Sequence, residues 1–306
     1  MSFKIAILGG TGHIARAITP YLLDRGAQVT LFARTPDKLA DSPCRVTADF
    51  SALMSEKYDI LINGIGAGTP KKLAGNYNRW FSVLEKFDNL ALEYLQNVNR
   101  DALYVMFSSG AVYGRKNSCP VKEMSSWELF PNKIAVPDFY GISKIYSEAK
   151  HRSLSDLRIA DLRIFSFFSH HIELDSGYFM TDLVNAVLED KLLETESGEL
   201  IRDYPHPADL SDLILRCAGQ KKINCSIDVA SAAPVTKSEI LQTFSEKFAL
   251  RCKVSSGRIS SPNGNANIYL PTTEMAEKSV DWKPVFTSID TLISETKIIL
   301  SKYGKA

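Results

Sequence analysis

The 306-residue sequence is short of the features that mark out several whole classes of protein. Its five cysteines (Cys44, Cys119, Cys217, Cys225 and Cys252) are odd in number and scattered without metal-ligand spacing. Neither a disulfide framework nor a metal site is therefore expected, and the thiols are read as reduced. Charge of one sign is not in excess: 36 Lys and Arg face 35 Asp and Glu. No global field draws such a chain to nucleic acid or an anionic membrane, so any anion it binds must be held by local groups. No apolar run approaches the roughly 20 residues of a membrane span, and the N-terminus runs straight into "FKIAIL" without a basic region and cleavage site. The expected location is cytoplasmic. Internal repeats are missing, as is any linker rich enough in Pro, Gly or Ser to separate independent domains. What is present is ordinary globular composition, 45% hydrophobic and 23% charged, in a chain long enough for two cores.

The apolar residues are grouped. "FKIAILG", "QVTLFAR", "YDILING", "ALYVMFSS" and "LRIADLRIF" are short β-branched runs separated by stretches of helical period. That alternation predicts a parallel sheet with crossover helices. The first helix follows "GGTGH", and a longer one is expected over residues 81–98, where the apolar stripe is broad. Beyond Phe165 the alternation breaks down into short strands ("ELIRDY", "SIDVAS"), helices ("DLSDLILRCA", "KSEILQTFSEKF") and the loop-rich "VSSGRISSPNGNAN". The expected fold class is α/β: a doubly wound parallel sheet of the Rossmann type over residues 1–165, with 206–230 packing on it. A smaller α+β substrate-binding domain is expected mainly within 166–306.

"GGTGHIA" ends the first strand and opens the first helix, with Gly9, Gly12 and Ala15 at three-residue spacing. Glycines let backbone amides approach a pyrophosphate where the helix dipole favours an anion, and the third position needs only a small residue. Gly9, Thr11, Gly12, His13 and Ile14 are therefore candidate dinucleotide contacts, with no chemistry assigned to His13. The second strand chooses the cofactor. An NAD-binding chain of this kind carries Asp or Glu there, whereas this one reads "LFARTPDKL". Arg34 and Lys38 would offer cations to a 2'-phosphate, so NADP(H) is preferred and NAD(H) is the alternative. Asp49 and Phe50 after the third strand, and Ile65 and Gly66 in "GIG" after the fourth, fall where adenine and pyrophosphate would pass.

"YGISK" places Tyr140 and Lys144 four residues apart, hence on one helix face, and "FSSGAVYG" upstream ends a strand in Ser108 and Ser109. With "GGTGHIA", "LRIFSFFS", "IRDYPHPADL" and the late "DWKP", these motifs occur in an order that resembles the extended short-chain dehydrogenases/reductases, the NAD(P)-dependent sugar epimerase/dehydratase family, over essentially the whole chain. The resemblance implies that Tyr140 exchanges a proton with a carbinol or ketone oxygen, that Lys144 supports the phenolate and the nicotinamide ribose, and that Ser109 holds the same oxygen. Phe165 would line the cofactor. Lowering a phenol from about pKa 10 to neutrality takes about 4 kcal/mol, which Lys144 and an oxidised nicotinamide can supply.

Departures from the family pattern narrow the reaction. Gly110 and Ala111 stand where dehydratase relatives carry an Asp-Glu pair, and Ala111 where some epimerising relatives carry a cysteine. His171 falls where the latter carry an active-site histidine, so it is a catalytic candidate with a loop residue as the plain alternative. Ser166, expected at the substrate, and Phe168-Ser169-His170 replace the usual Asn and Tyr-Gly-Pro, leaving that loop's conformation open. Arg202 and Arg258 resemble the pair that grips the diphosphate of a nucleotide-linked sugar. The resulting expectation is an NADPH-dependent reductase of a nucleoside-diphosphate keto sugar, most simply a 4-ketoreductase of deoxysugar biosynthesis. The alternatives are an NAD-dependent nucleotide-sugar 4-epimerase and, from another class, a non-catalytic NADP-sensing regulator, which has no need of Ser109, Tyr140 and Lys144 together. The resemblance also implies a homodimer through the helix at 81–98 and the Tyr140 helix.

Overall fold

A computed structural model of the chain describes residues 2–68, 73–114, 120–122, 124–255 and 267–305. In chain order, the first part runs β1 (Lys4–Leu8), α1 (His13–Asp24), β2 (Gln28–Phe32), β3 (Arg45–Thr47), β4 (Ile60–Asn63), α2 (Arg79–Asn97), β5 (Leu103–Ser109), α3 (Val136–Arg152) and β6 (Ile159–Ile164). The second part runs α4 (Phe179–Glu189), β7 (Leu192–Glu196), β8 (Ile201–Arg202), α5 (Pro207–Gly219), β9 (Asn224–Val229), β10 (Val235–Thr236) and α6 (Lys237–Phe248). It ends with β11 (Arg251–Ser255), β12 (Ile268–Tyr269), α7 (Glu274–Val280) and α8 (Ser288–Lys302).

Seven of these strands form one parallel sheet in the order β3-β2-β1-β4-β5-β6-β9. Its central strands are covered on both faces, which is why they appear in the sequence as continuous apolar runs rather than alternating ones. On one face α1, α5 and α7 pack with Trp282; on the other, α2 covers Leu61, Tyr104 and Met106. The chain winds outward from β1 to β3 and returns beside β1 as β4, so the strand order reverses between β1 and β4. A crevice outside the carboxyl ends of the strands opens at such a switch point. Every motif singled out in the sequence before Phe165 ends at that edge.

Beyond β6 the chain builds a second core around Phe168, Leu183, Tyr204, Phe244 and Leu292, carried by α4, α6 and α8. The small sheet β10-β8-β12 and the pair β11-β7 belong to this part. Two returns to the first core stand out. α5 packs on α1 and β9 extends the main sheet, and α7 with Trp282 also joins the first core, although it lies far beyond residue 230.

The broad stripe on α2 finds its partners within its own chain. Trp80, Leu84, Ala91, Leu92, Tyr94 and Leu95 are buried, while Ser82, Glu85, Lys86, Asn89, Glu93 and Gln96 face outward. Most of the stripe is thus used within the chain, with Phe81, Val83 and Leu90 left half-buried, and the homodimer stays an expectation from the resemblance. Among the described residues, no helix is long and apolar enough to cross a membrane, and no cluster of His, Cys, Asp or Glu could hold a metal ion.

Candidate active site

The helix that carries Tyr140 and Lys144 begins where the sequence tells it to. Pro137 sits in the first turn of α3, where a missing N–H costs nothing, and the Asp138 carboxylate accepts from the Ala135 N–H at 3.0 Å. Tyr140 then opens the second turn and Lys144 lies one turn on. The Lys144 ammonium is 6% exposed and donates to the carbonyl of Phe107 on β5 at 2.7 Å. Its nitrogen lies 5.9 Å from the centre of the Tyr140 ring. Ser109, the last residue of β5, is buried, and its hydroxyl is hydrogen-bonded to the Tyr140 phenol. The three residues predicted as one reaction centre are thus brought together by a strand end and a helix start.

Electrostatically the centre is poised rather than neutralised. Burial lowers the Lys144 pKa to about 8, opposed by the carboxylates of Glu148, Asp161 and Asp88. Among the described residues no carboxylate lies within ion-pair distance of it. Burial also pushes the Tyr140 phenol above its ordinary value, against the Ser109 hydrogen bond. Within the chain alone, burial outweighs every group that favours the phenolate. A positive charge brought nearby, as an oxidised nicotinamide would bring, acts in the opposite direction, towards the phenolate.

The glycine turn fits a dinucleotide. Gly9 has φ +86°, and a Cβ there would lie 2.9 Å from Ile65 Cγ1, so the β1 turn and the "GIG" turn after β4 are packed backbone to side chain. Gly12 precedes α1, with Thr11, His13 and Ile14 half-buried around it, while Gly66 is exposed. At the end of β2, Arg34 and Lys38 are exposed, and among the described residues neither is paired with a carboxylate. Asp49 is exposed, and its carboxylate accepts from the Ser51 N–H at 2.9 Å. Phe50 packs on Phe32 and Phe87 with ring centres 5.9 and 5.3 Å apart, which gives it a structural role whatever else it touches.

Around the reaction centre the fold adds groups that the sequence did not reveal. Tyr269 of β12 brings its hydroxyl onto Ser109, so two phenols share one serine. Its ring lies 4.7 Å from that of Phe165, and it is register partner to Arg202. Arg202 is 8% exposed, and its Nη1 donates to the carbonyls of Ile201 and Asn267. Trp80 packs against the Tyr140 ring, centres 5.7 Å apart. A Cβ on Gly110 would meet the Phe165 ring at 2.6 Å, so an acidic side chain there would displace that ring. Ser166 is half-buried at the start of the segment after β6. Arg258 lies outside the described residues.

His171 is placed elsewhere. The groups acting on its ring are His170, Arg16, Lys302 and His13, none of them in the Ser109-Tyr140-Lys144 centre, and burial with these neighbours depresses its pKa to about 3. It is a neutral ring beside the first turn of α1. The plain reading as a loop histidine fits this position better than a proton relay at Tyr140. His13 is likewise held neutral by burial, with a pKa of about 4, and its ring lies against Phe167.

A second buried network supports the centre from behind. The Glu148 carboxylate accepts from Ser108 Oγ at 2.6 Å and from Arg163 Nη2 at 2.6 Å, and Arg163 Nη1 donates to the Tyr113 hydroxyl at 2.7 Å. Tyr113 in turn donates to Asp228, whose carboxylate accepts from the Thr272 N–H. No local signal marks Tyr269, Trp80 or Glu148 in the sequence, because each is defined by its neighbour on a different element.

Residues 5–228 match the NAD dependent epimerase/dehydratase family. A UDP-glucose 4-epimerase of Streptococcus mutans is 24% identical over 225 residues, covering 66% of this chain and 65% of that protein, slightly under two thirds of its length. UDP-glucose 4-epimerase 2 of Arabidopsis thaliana is 26% identical over 339 residues, covering 92% of this chain and 91% of that one. The fold matches the crystal structure of a UDP-glucose-4-epimerase from Stenotrophomonas maltophila with bound NAD and formylated UDP-arabinopyranose. The TM-score is 0.80 at 17% identity, over 99% of this chain and 100% of that one.

Proposed function

We propose that this chain, which belongs to the NAD-dependent epimerase/dehydratase family, is a 4-epimerase of sugars linked to a nucleoside diphosphate. It is an NAD(P)-dependent enzyme of the extended short-chain dehydrogenase/reductase type. The observation that carries the proposal is the make-up of the reaction centre: Tyr140 beside an ammonium that has no carboxylate partner among the described residues, with Gly110 pressed against Phe165 where an acid would be needed for dehydration. Such a centre serves oxidation and reduction at a single carbon. The similar proteins named 4-epimerases support that order of preference over the ketoreductase expected from the sequence.

In this reading Ser109 and Tyr140 hold the reacting sugar oxygen between two hydroxyls, and Tyr140 takes its proton and later returns it. Lys144 favours the phenolate during transfer while it donates a hydrogen bond to the Phe107 carbonyl. Bound nicotinamide supplies a hydride acceptor that becomes the donor of the return step. Arg202, beside Tyr269, meets the diphosphate as a planar guanidinium suited to phosphate oxygens. Burial of Ser109 and Lys144 keeps bulk water from competing for the proton.

A second reading is favoured by Arg34 and Lys38. Two exposed, unpaired cations at the end of β2 suit the 2'-phosphate of NADP, and a reductase exchanging NADPH at every turnover would use them. Cofactor content separates the two. A 4-epimerase must keep its cofactor through both half-reactions, so the purified protein should carry dinucleotide in about a 1:1 ratio and interconvert two nucleotide sugars with none added. Protein that arrives empty and steadily oxidises NADPH with a nucleotide-linked 4-keto sugar would make it the reductase.

A further inference from the structure

The segment following β6 leaves the sheet at the rim of the dinucleotide crevice and contains no proline to stiffen it. It is nevertheless held tightly. Phe168 and Ser169 are fully buried, Phe168 within the second core. His13, the first residue of α1 after the glycine turn, lies near the Ser169 backbone and sets its ring edge-on to Phe167, centres 5.1 Å apart. From the other side comes Glu295 of α8, 1% exposed. One of its carboxylate oxygens accepts from both the backbone N–H and the ring nitrogen of His170, each at 2.7 Å. The ring of His171 lies on that of His170, centres 4.0 Å apart.

We propose that Glu295 and His170 form a latch that fastens the segment after β6 across the glycine turn and slows release of the bound dinucleotide. The inference rests on the dinucleotide lying at the glycine turn, and not on whether the reaction is an epimerisation or a reduction. The physical argument begins with Glu295. A carboxylate this buried has lost its water, and hydrogen bonds from His170 replace that water, so withdrawing the segment from α8 would strand the charge. The opposite flank of the same segment touches His13, one residue beyond Gly12. Opening the rim above the phosphates therefore means breaking a charge-assisted pair on the C-terminal helix, far along the chain from the turn itself. A latch of this kind also accounts for how Phe168-Ser169-His170 is ordered without a stiff turn: its middle is buried and its end is tied.

The test measures cofactor release. NADH or NADPH is bound, energy transfer from the chain's 3 tryptophans to the nicotinamide is followed, and the complex is mixed with excess oxidised dinucleotide. Glu295→Gln and His170→Ala should each speed release by about tenfold. The double variant should be no faster than the faster single one, because the pair acts as a unit. If Glu295→Gln does not fold, His170→Ala carries the test, since the His170 side chain is 20% exposed. Release rates within about twofold of the parent in a folded variant would overturn the latch and leave cofactor binding intact. Failure of the parent to bind either dinucleotide would overturn the glycine-turn reading and the latch together.

Discussion

Two buried cations on one helix face meet opposite fates. Lys144 and His151 are seven residues apart on α3, two turns along the same face, and are 6% and 0% exposed. Burial depresses both. For Lys144 it wins, because the nearest partner is a carbonyl, and the pKa falls to about 8. For His151 it loses, because Asp161 and Asp88 each sit 2.7 Å from a ring nitrogen and raise the pKa to about 9. The pairing, not the depth, decides. A cation satisfied by two carboxylates is a structural rivet, whereas one left on a carbonyl has charge to offer to a neighbouring phenol. The difference separates the working end of α3 from its supporting end.

The comparison breaks most visibly at the working end. Tyr140→Phe should lower turnover by roughly two to four orders of magnitude while dinucleotide affinity, read by fluorescence titration, stays unchanged. Near-normal turnover would remove Tyr140 from the mechanism. Lys144→Met should also abolish most activity, yet stability in urea should hold or rise, since an unpaired buried charge is replaced by an apolar chain.

His151→Gln should do the reverse. Asp88 keeps Lys150 and Asp161 keeps Arg152, so losing the charge between them should lower the unfolding free energy by about 1–3 kcal/mol. Urea unfolding that leaves the midpoint unmoved would show that the array is dispensable. A third unpaired cation, Arg34, extends the comparison to the surface. Arg34→Ala should cut discrimination between NADPH and NADH by about tenfold to hundredfold, corresponding to a lost contact of about 1.5–3 kcal/mol. Equal loss of affinity for both cofactors would mean that Arg34 does not meet the 2'-phosphate.

The smallest effect is a slope. His151 has a folded pKa of about 9, above its ordinary 6.5, so its contribution to stability is complete below pH 6.5 and is lost as pH rises through 9. Lys144, with a folded pKa of about 8 below its ordinary 10.5, carries a cost that is full below pH 8 and fades toward 10.5. Urea unfolding between pH 6.5 and 8 should therefore show a decline that vanishes in His151→Gln. A decline that persists in that variant would assign it to another group.

What could be seen in the sequence was local. Glycine spacing, a strand end bearing Ser109, a Tyr and a Lys one turn apart, and the apolar runs of β1, β2, β4, β5 and β6 all express backbone requirements within a few residues, and the structure places them at one edge of one sheet. The residues that complete the site were invisible for the converse reason. Tyr269 reaches Ser109 from a two-residue strand, Trp80 reaches Tyr140 from α2, and Glu295 reaches His170 from 125 positions away. His171 shows the same limit: its place in the chain left a catalytic histidine and a plain loop residue both open, and the charged groups acting on its ring include Arg16 and Lys302.

The sequence by itself determined the doubly wound sheet, the glycine turn after β1 and the placement of Ser109 at a strand end with Tyr140 and Lys144 on one helix face, because strand period, helix period and turn geometry are set by neighbours along the chain. Only the tertiary structure decided which buried charges are neutralised and which are left to act, which face of α2 is consumed, and what fastens the segment after β6. A residue's dielectric surroundings and partners are fixed by elements that meet only when the chain is folded.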